Sequence, residues 1–104
     1  MQRIASKMKL KQGMAEEYKK RHDELWPELQ GLLKAAGISD YVIFLDEETH
    51  ILFASLKVED QSELGKLPAE AVMQRWWKYM SDIMDTNPDN SPVSIPLKEV
   101  FYLQ

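Results

Sequence analysis

YVIFLDEETHILFASLKV, residues 41–58, carries two apolar runs on either side of a short acidic stretch. The runs YVIFLDE (41–47) and HILFASLKV (50–58) are rich in branched and aromatic residues and read as the two strands of a β-hairpin. Both alternating faces of each run are apolar. Tyr41, Ile43 and Leu45 oppose Val42 and Phe44, and Ile51 and Phe53 oppose Leu52, Ala54 and Leu56. A single layer of helices covers one face of a sheet only. The other face needs its own cover, and for a chain of 104 residues the cheapest cover is a second copy of the chain.

Working outward, RIASKMKL (3–10) alternates Ile4, Met8 and Leu10 against Arg3, Lys7 and Lys9, which predicts a strand with one wet face. Gly13 breaks it. From Met14 the spacing becomes helical: Met14, Tyr18, His22, Leu25, Trp26, Leu29, Leu32 and Leu33 recur every three or four residues. Glu16 with Lys20 and Glu17 with Arg21 supply i,i+4 pairs on the opposite side. Pro27 should kink this helix or restart it, and Gly37 should end it. After the hairpin, residues 60–66 suit a short polar helix, and Pro68 is expected to open a helix carrying Trp76 and Trp77. NPDNSPVSIP (87–96) is punctuated by Pro88, Pro92 and Pro96 and is expected to be irregular, with LKEVFYL (97–103) as a closing strand. The order strand, helix, strand, strand, helix, strand predicts one α+β domain over residues 1–104. It is the ferredoxin-like βαββαβ arrangement, an antiparallel sheet with both helices on one face, dimerising through the bare face into an α+β barrel.

Composition narrows the chemistry. A net charge of −4 opposes nucleic acid as a main partner, because backbone binding needs a basic face. There is no cysteine, no apolar signal core in MQRIASKMKL and no run long enough for a membrane span, so the expectation is a cytoplasmic protein without membrane contact. Four scattered glycines leave no phosphate-cradling loop, and His22 and His50 without cysteine make a poor metal site. An enzyme of this sequence is expected to work by proton transfer, without metal or other cofactor.

His22 is the candidate for that transfer. It lies one turn after Tyr18 and one turn before Trp26, on the apolar side of the helix, and imidazole titrates near neutrality. The plainer reading is a histidine packed at the edge of the core. His50 opens a strand beside acidic residues and reads as an exposed turn residue. Trp76 and Trp77 are 100° apart on a helix, so they cannot share a narrow stripe. Val72, Trp76, Met80 and Ile83 form one stripe, and Met73, Trp77, Met80 and Met84 the next. Burial explains either indole alone. The pair, beside Arg75, Lys78 and Tyr79, suits a sugar, whose C–H faces stack on rings while its hydroxyls take hydrogen bonds. An aromatic small molecule fits almost as well. Tyr18, Tyr41 and Trp26 are available to line the same pocket, and Asn87–Pro92 is a polar loop able to close over it.

EEYKKRHDELWPEL (16–29), QRWWKYMSDIM (74–84), NPDNSPVS (87–94) and EVFYL (99–103) closely resemble the L-rhamnose mutarotase family, over essentially the whole length. The resemblance implies a dimeric ferredoxin-like α+β barrel that interconverts the α and β anomers of L-rhamnose without metal or organic cofactor. It implies His22 as the proton donor and Tyr18, Tyr41, Trp76 and Trp77 as sugar-binding side chains. His22 would then protonate the ring oxygen, with a tyrosine or a water as the second proton-transfer group. The same barrel shape also hosts cofactor-free oxygenases and plain binding modules. Oxygen consumption would mark the first, and ligand affinity that survives loss of His22 the second.

Overall fold

The computed structural model describes residues 1–104. Strand β1 spans Gln2–Lys9, helix α1 Ala15–Asp23, helix α2 Pro27–Ala35, strand β2 Ile38–Asp46 and strand β3 Ile51–Val58. A 3₁₀ segment, Gln61–Ala69, leads into helix α3, Ala71–Met80, and strand β4 is the pair Ile95–Pro96. The strands form one antiparallel sheet in the order β2-β3-β1-β4. That order follows from a hairpin, β2–β3, whose second strand pairs with the N-terminal β1, and it is consistent with the expected split βαβ topology.

Helices and 3₁₀ segment pack on the same face of the sheet. Leu10 of the β1 extension and Leu52 of β3 are buried against Tyr18, Leu29, Met73, Trp76, Met80, Ile83 and Met84. A smaller cluster of Ala36, Ile38 and Val58 closes the other end. On the opposite face Val42, Phe44, Phe53 and Ile95 stand exposed, Phe44 to 67%. The hairpin is therefore apolar on both sides, and within one chain only one side is covered.

Two local features differ from the sequence reading, and at Pro27 one of its two alternatives is realised. Pro27 restarts the first helix rather than kinking it: it sits at the first turn of α2, preceded by Trp26 in an extended conformation at ψ 131°. Proline lacks the N–H that a continuous helix needs and forces its predecessor out of the α region. Pro68 lies inside the 3₁₀ segment, and α3 begins three residues later. The closing strand expected at 97–103 is instead the two residues Ile95–Pro96, opposite Ser6 and Lys7. The Leu97 N–H still donates to the Ala5 carbonyl at 2.9 Å, but beyond it Val100, Phe101, Tyr102 and Leu103 are exposed and outside any strand. Gly37 does end α2, at φ +82°, and an added Cβ there would sit 3.3 Å from Cβ of Glu59.

One irregularity of β2 positions a site residue. The β2–β3 register shifts between Ser39 and Val42, so two residues, Asp40 and Tyr41, face the single Leu56. Asp40 takes φ +50°, and its carboxylate meets Arg3 at 3.0 Å on the bare face. The bulge re-aims the next residue, Tyr41, towards the helices.

Candidate active site

His22 occupies the last turn of α1, half-buried under α3. Its Nδ1 lies 3.0 Å from the Tyr18 carbonyl oxygen one turn earlier. A carbonyl only accepts, so Nδ1 carries the proton and donates it, leaving Nε2 with a free lone pair in the neutral ring. The Tyr18 ring stacks on the imidazole, centroids 4.3 Å apart. The Trp76 indole meets the imidazole edge to face at 5.4 Å. Burial pulls the His22 pKa below its ordinary 6.5, against smaller opposing pushes from the Tyr18 carbonyl and the Asp23 carboxylate. The resting imidazole at neutral pH is uncharged.

Tyr18 is buried, and burial pushes its phenol far up, with Tyr41 adding to the rise. The two phenols therefore approach one another across the gap between α1 and β2. Burial likewise raises the Tyr41 phenol, although the residue as a whole is 45% exposed. Both hydroxyls stay protonated at any physiological pH and are available as hydrogen-bond donors.

Trp76 points into the core and is 7% exposed. Besides His22 it contacts Trp26 at 5.1 Å and Tyr79 at 5.7 Å, so an aromatic ring cluster extends from the imidazole through Trp76. Trp77, one residue on, is half-buried and packs in part against the core. It walls an open cleft of about 550 Å³ with Gln74, Arg75, Lys78, Asp89 and Asn90. Tyr18, His22 and Trp76 are thus brought together, Tyr41 lies near enough to Tyr18 to raise its phenol, and Trp77 reaches the cleft. Both stripes read from the sequence enter the core, through Trp76, Met80 and Ile83 and through Met73, Met80 and Met84, and only Trp77 also reaches the cleft. The Asn87–Pro92 loop brings Asp89 and Asn90 to that cleft and is held by hydrogen bonds from Asn87 and Ser91 within itself. His50 sits in the hairpin turn at φ +62°, away from the aromatic ring. No cluster of three or more His, Cys, Asp or Glu side chains stands close enough to hold a metal ion.

The sequence reading names Tyr79 only as a neighbour of the tryptophans and misses the bridge that Arg21 makes to it. Arg21 appears there only as an i,i+4 partner of Glu17, a contact that does form at 2.8 Å. Its other partners, Asp82 and the Tyr79 carbonyl, lie about sixty positions away, and no local spacing announces them.

The chain is thus a small α+β protein with an antiparallel sheet and one neutral imidazole set between the rings of Tyr18 and Trp76. The profile of the L-rhamnose mutarotase family matches residues 3–103, and the chain belongs to that family. It is 58% identical to the L-rhamnose mutarotase of Mesorhizobium japonicum over 102 residues, covering 98% of this chain and 97% of that one. It is 57% identical to the L-rhamnose mutarotase of Listeria monocytogenes over 103 residues, 99% of each chain. The crystal structure of L-rhamnose mutarotase from Formosa agariphila superimposes with a TM-score of 0.93 at 54% identity, covering all of both chains. A conserved protein from Methanosarcina mazei shares the fold alone, with a TM-score of 0.62 at 17% identity.

Proposed function

We propose that this protein is an L-rhamnose mutarotase, an isomerase that interconverts the α and β anomers of the sugar by opening and reclosing the pyranose ring. The observation that carries the mechanism is the neutral His22 imidazole, its Nδ1–H committed to the Tyr18 carbonyl and its Nε2 free.

Ring opening moves one proton from the anomeric hydroxyl to the ring oxygen, breaks the bond between that oxygen and the anomeric carbon, and leaves an open-chain aldehyde. Rotation of the aldehyde and reclosure on its other face give the other anomer. Both oxygens are attached to the same carbon, so one imidazole nitrogen serves both. His22 Nε2 takes the hydroxyl proton, and the resulting imidazolium protonates the ring oxygen. Reclosure reverses the transfer, and no proton is gained or lost. The lowered pKa makes the imidazolium a ready donor. General acid–base catalysis of this kind contributes on the order of 10²- to 10⁴-fold. No metal or organic cofactor enters these steps.

The phenols of Tyr18 and Tyr41 donate hydrogen bonds to sugar hydroxyls, and Trp76 offers an indole edge beside His22. Trp77 forms the outer wall, where the pyranose is received from solvent. A second copy of the chain covers the bare sheet face, because Val42, Phe44, Phe53 and Ile95 together form a patch that a monomer leaves in water. The assembly so formed is the two-sheet α+β barrel.

The test is saturation-transfer NMR on equilibrated L-rhamnose, irradiating one anomeric proton and watching the other. Transfer above the protein-free rate, at catalytic protein concentration and lost in His22→Gln, is the expected result. Sugar binding without accelerated transfer would leave a lectin-like module in place of an enzyme.

A further inference from the structure

Arg21 precedes His22 on α1, and its guanidinium reaches across to the C-terminal end of α3. Nη1 donates to the Tyr79 carbonyl at 2.6 Å and to Asp82 Oδ1 at 2.9 Å, Nη2 to Asp82 Oδ2 at 3.3 Å, and Nε to Glu17 Oε2 at 2.8 Å. The planar group also lies over the Tyr79 ring, 4.3 Å from its centroid. Only 10% of this side chain is exposed. The fork with Asp82 uses both terminal nitrogens, a geometry that lysine cannot copy. The Tyr79 carbonyl belongs to the last turn of α3, where carbonyls lack helical partners and a cation is favoured. In every ion pair that does not involve Arg21 the cation is far more exposed, at least 42%.

The two helices so joined carry the two halves of the imidazole's surroundings. α1 brings Tyr18 and His22, and α3 brings Trp76. Between them Tyr79 touches the clamp on one side and Trp26 and Trp76 on the other, at 5.5 and 5.7 Å. We infer that Arg21 with Asp82 is a positioning clamp for the reaction: it fixes α1 against α3 so that His22 Nε2 is held in register with the sugar bound along Trp76. Arg21 and Asp82 touch no substrate. They act through the seat of His22. This inference rests on the mutarotase reading of the site.

The clamp predicts a separation of kcat from KM. Misplacing a catalytic group by about 1 Å costs up to about 100-fold in rate, whereas the tryptophans and Tyr41 that hold the sugar keep their places. Asp82→Asn and Arg21→Lys are made beside Lys19→Gln, which removes a cation from the exposed side of the same helix. Kinetics come from anomer exchange, and folding from circular dichroism and melting. A sugar-free readout is the ring-proton shifts of His22, which shares the histidine spectrum only with His50. In both clamp variants kcat should fall about 10- to 100-fold with KM within about two-fold. The His22 shifts should lose the ring-current displacement imposed by Trp76 and Tyr18. Asp82→Glu should recover part of both, and Lys19→Gln should change neither. Unchanged kcat or unmoved His22 shifts in folded Asp82→Asn would overturn the clamp, as would an activity loss that only tracks the unfolded fraction. A wild-type protein that does not exchange anomers sinks the functional reading, and the His22 shifts then judge the clamp by themselves.

Discussion

The imidazole of His22 and the indole of Trp76 meet at 5.4 Å with their planes at 89°, one ring from α1 and the other from α3. This edge-to-face contact sets the chemistry of the site. It gives the imidazole an apolar neighbour that disfavours its charge, while the carbonyl of Tyr18 fixes its tautomer from the opposite side. The proposed catalytic role and the packing role thus fall on the same pair of side chains, and they separate by substitution. His22→Gln keeps a polar side chain of similar reach and removes the titrating ring. Anomer exchange should drop by about 10²- to 10⁴-fold. Binding of L-rhamnose, followed by tryptophan fluorescence, should change far less.

The pH dependence of that exchange carries a definite sign. His22 begins the cycle as a neutral base, and burial holds its pKa below 6.5. Exchange should therefore be flat through neutrality and fall on the acid side, as the imidazole becomes protonated before the sugar reaches it. An acid that must start as imidazolium would give the opposite slope, with activity growing as the pH drops. A pH–rate profile of wild type decides between them, with the uncatalysed rate subtracted at each pH.

The same lowered pKa links stability to pH. Between the folded-state value and the ordinary 6.5, the unfolded chain binds a proton at His22 that the folded chain does not. Stability should thus rise with pH through this window and be lost progressively as the pH falls below about 6.5. Urea unfolding at several pH values should show a shallower acid loss in His22→Gln than in wild type. Equal slopes would mean that the imidazole titrates alike in both states.

Much of this site is legible in the sequence. The spacing of Tyr18 and His22 predicts one helical face, and β2 is apolar on both sides as read, with Ile43 and Leu45 on the core and Val42 and Phe44 exposed, because both are local periodicities that packing preserves. What escapes is non-local or conformational. Whether Pro27 bends a helix or starts a new one depends on the docking of Trp26, which spacing does not encode. The bulge at Asp40 that turns Tyr41 inward arises from pairing with β3, and Asp40 is not a glycine that would advertise a positive φ. The bond of Arg21 to Asp82 joins residues far apart in the chain. The split of Trp76 from Trp77 follows from helix geometry, but which indole meets His22 required the crossing of α1 and α3. The final strand was misplaced because EVFYL has strand composition without a partner strand inside its own chain.

Trp76 and Trp77 should respond differently to truncation. Trp76 is a core residue touching His22, Trp26 and Tyr79, so Trp76→Ala should cost about 3–5 kcal/mol of stability along with activity. Trp77 is half-buried, with part of its surface on the cleft beside Asp89 and Asn90. Trp77→Ala should cost less stability and appear mainly as a raised KM, from the lost wall on which the pyranose is received. Denaturant titrations together with exchange kinetics measure both quantities. A Trp77→Ala protein with unaltered KM would remove this indole from the binding surface.

The exposed sheet face yields the last prediction. Phe44 and Phe53 are cross-strand neighbours in the β2–β3 register and lie on the side away from the helices, with Val42 on the same face. Large apolar side chains left in water on a sheet face are disfavoured at roughly 25 cal/mol per Å², so the proposed second copy would gain stability by covering them. Charge placed there opposes that packing while leaving the helix-side core of Leu52 and Met80 untouched. Phe44→Asp should convert a dimer to a monomer in sedimentation velocity, with the native circular dichroism retained at low temperature. If wild type sediments as a monomer at micromolar concentration, the bare face has a different cover or none. If Phe44→Asp remains dimeric, the copies meet elsewhere, and the exposed Val100–Leu103 segment is the next surface to charge.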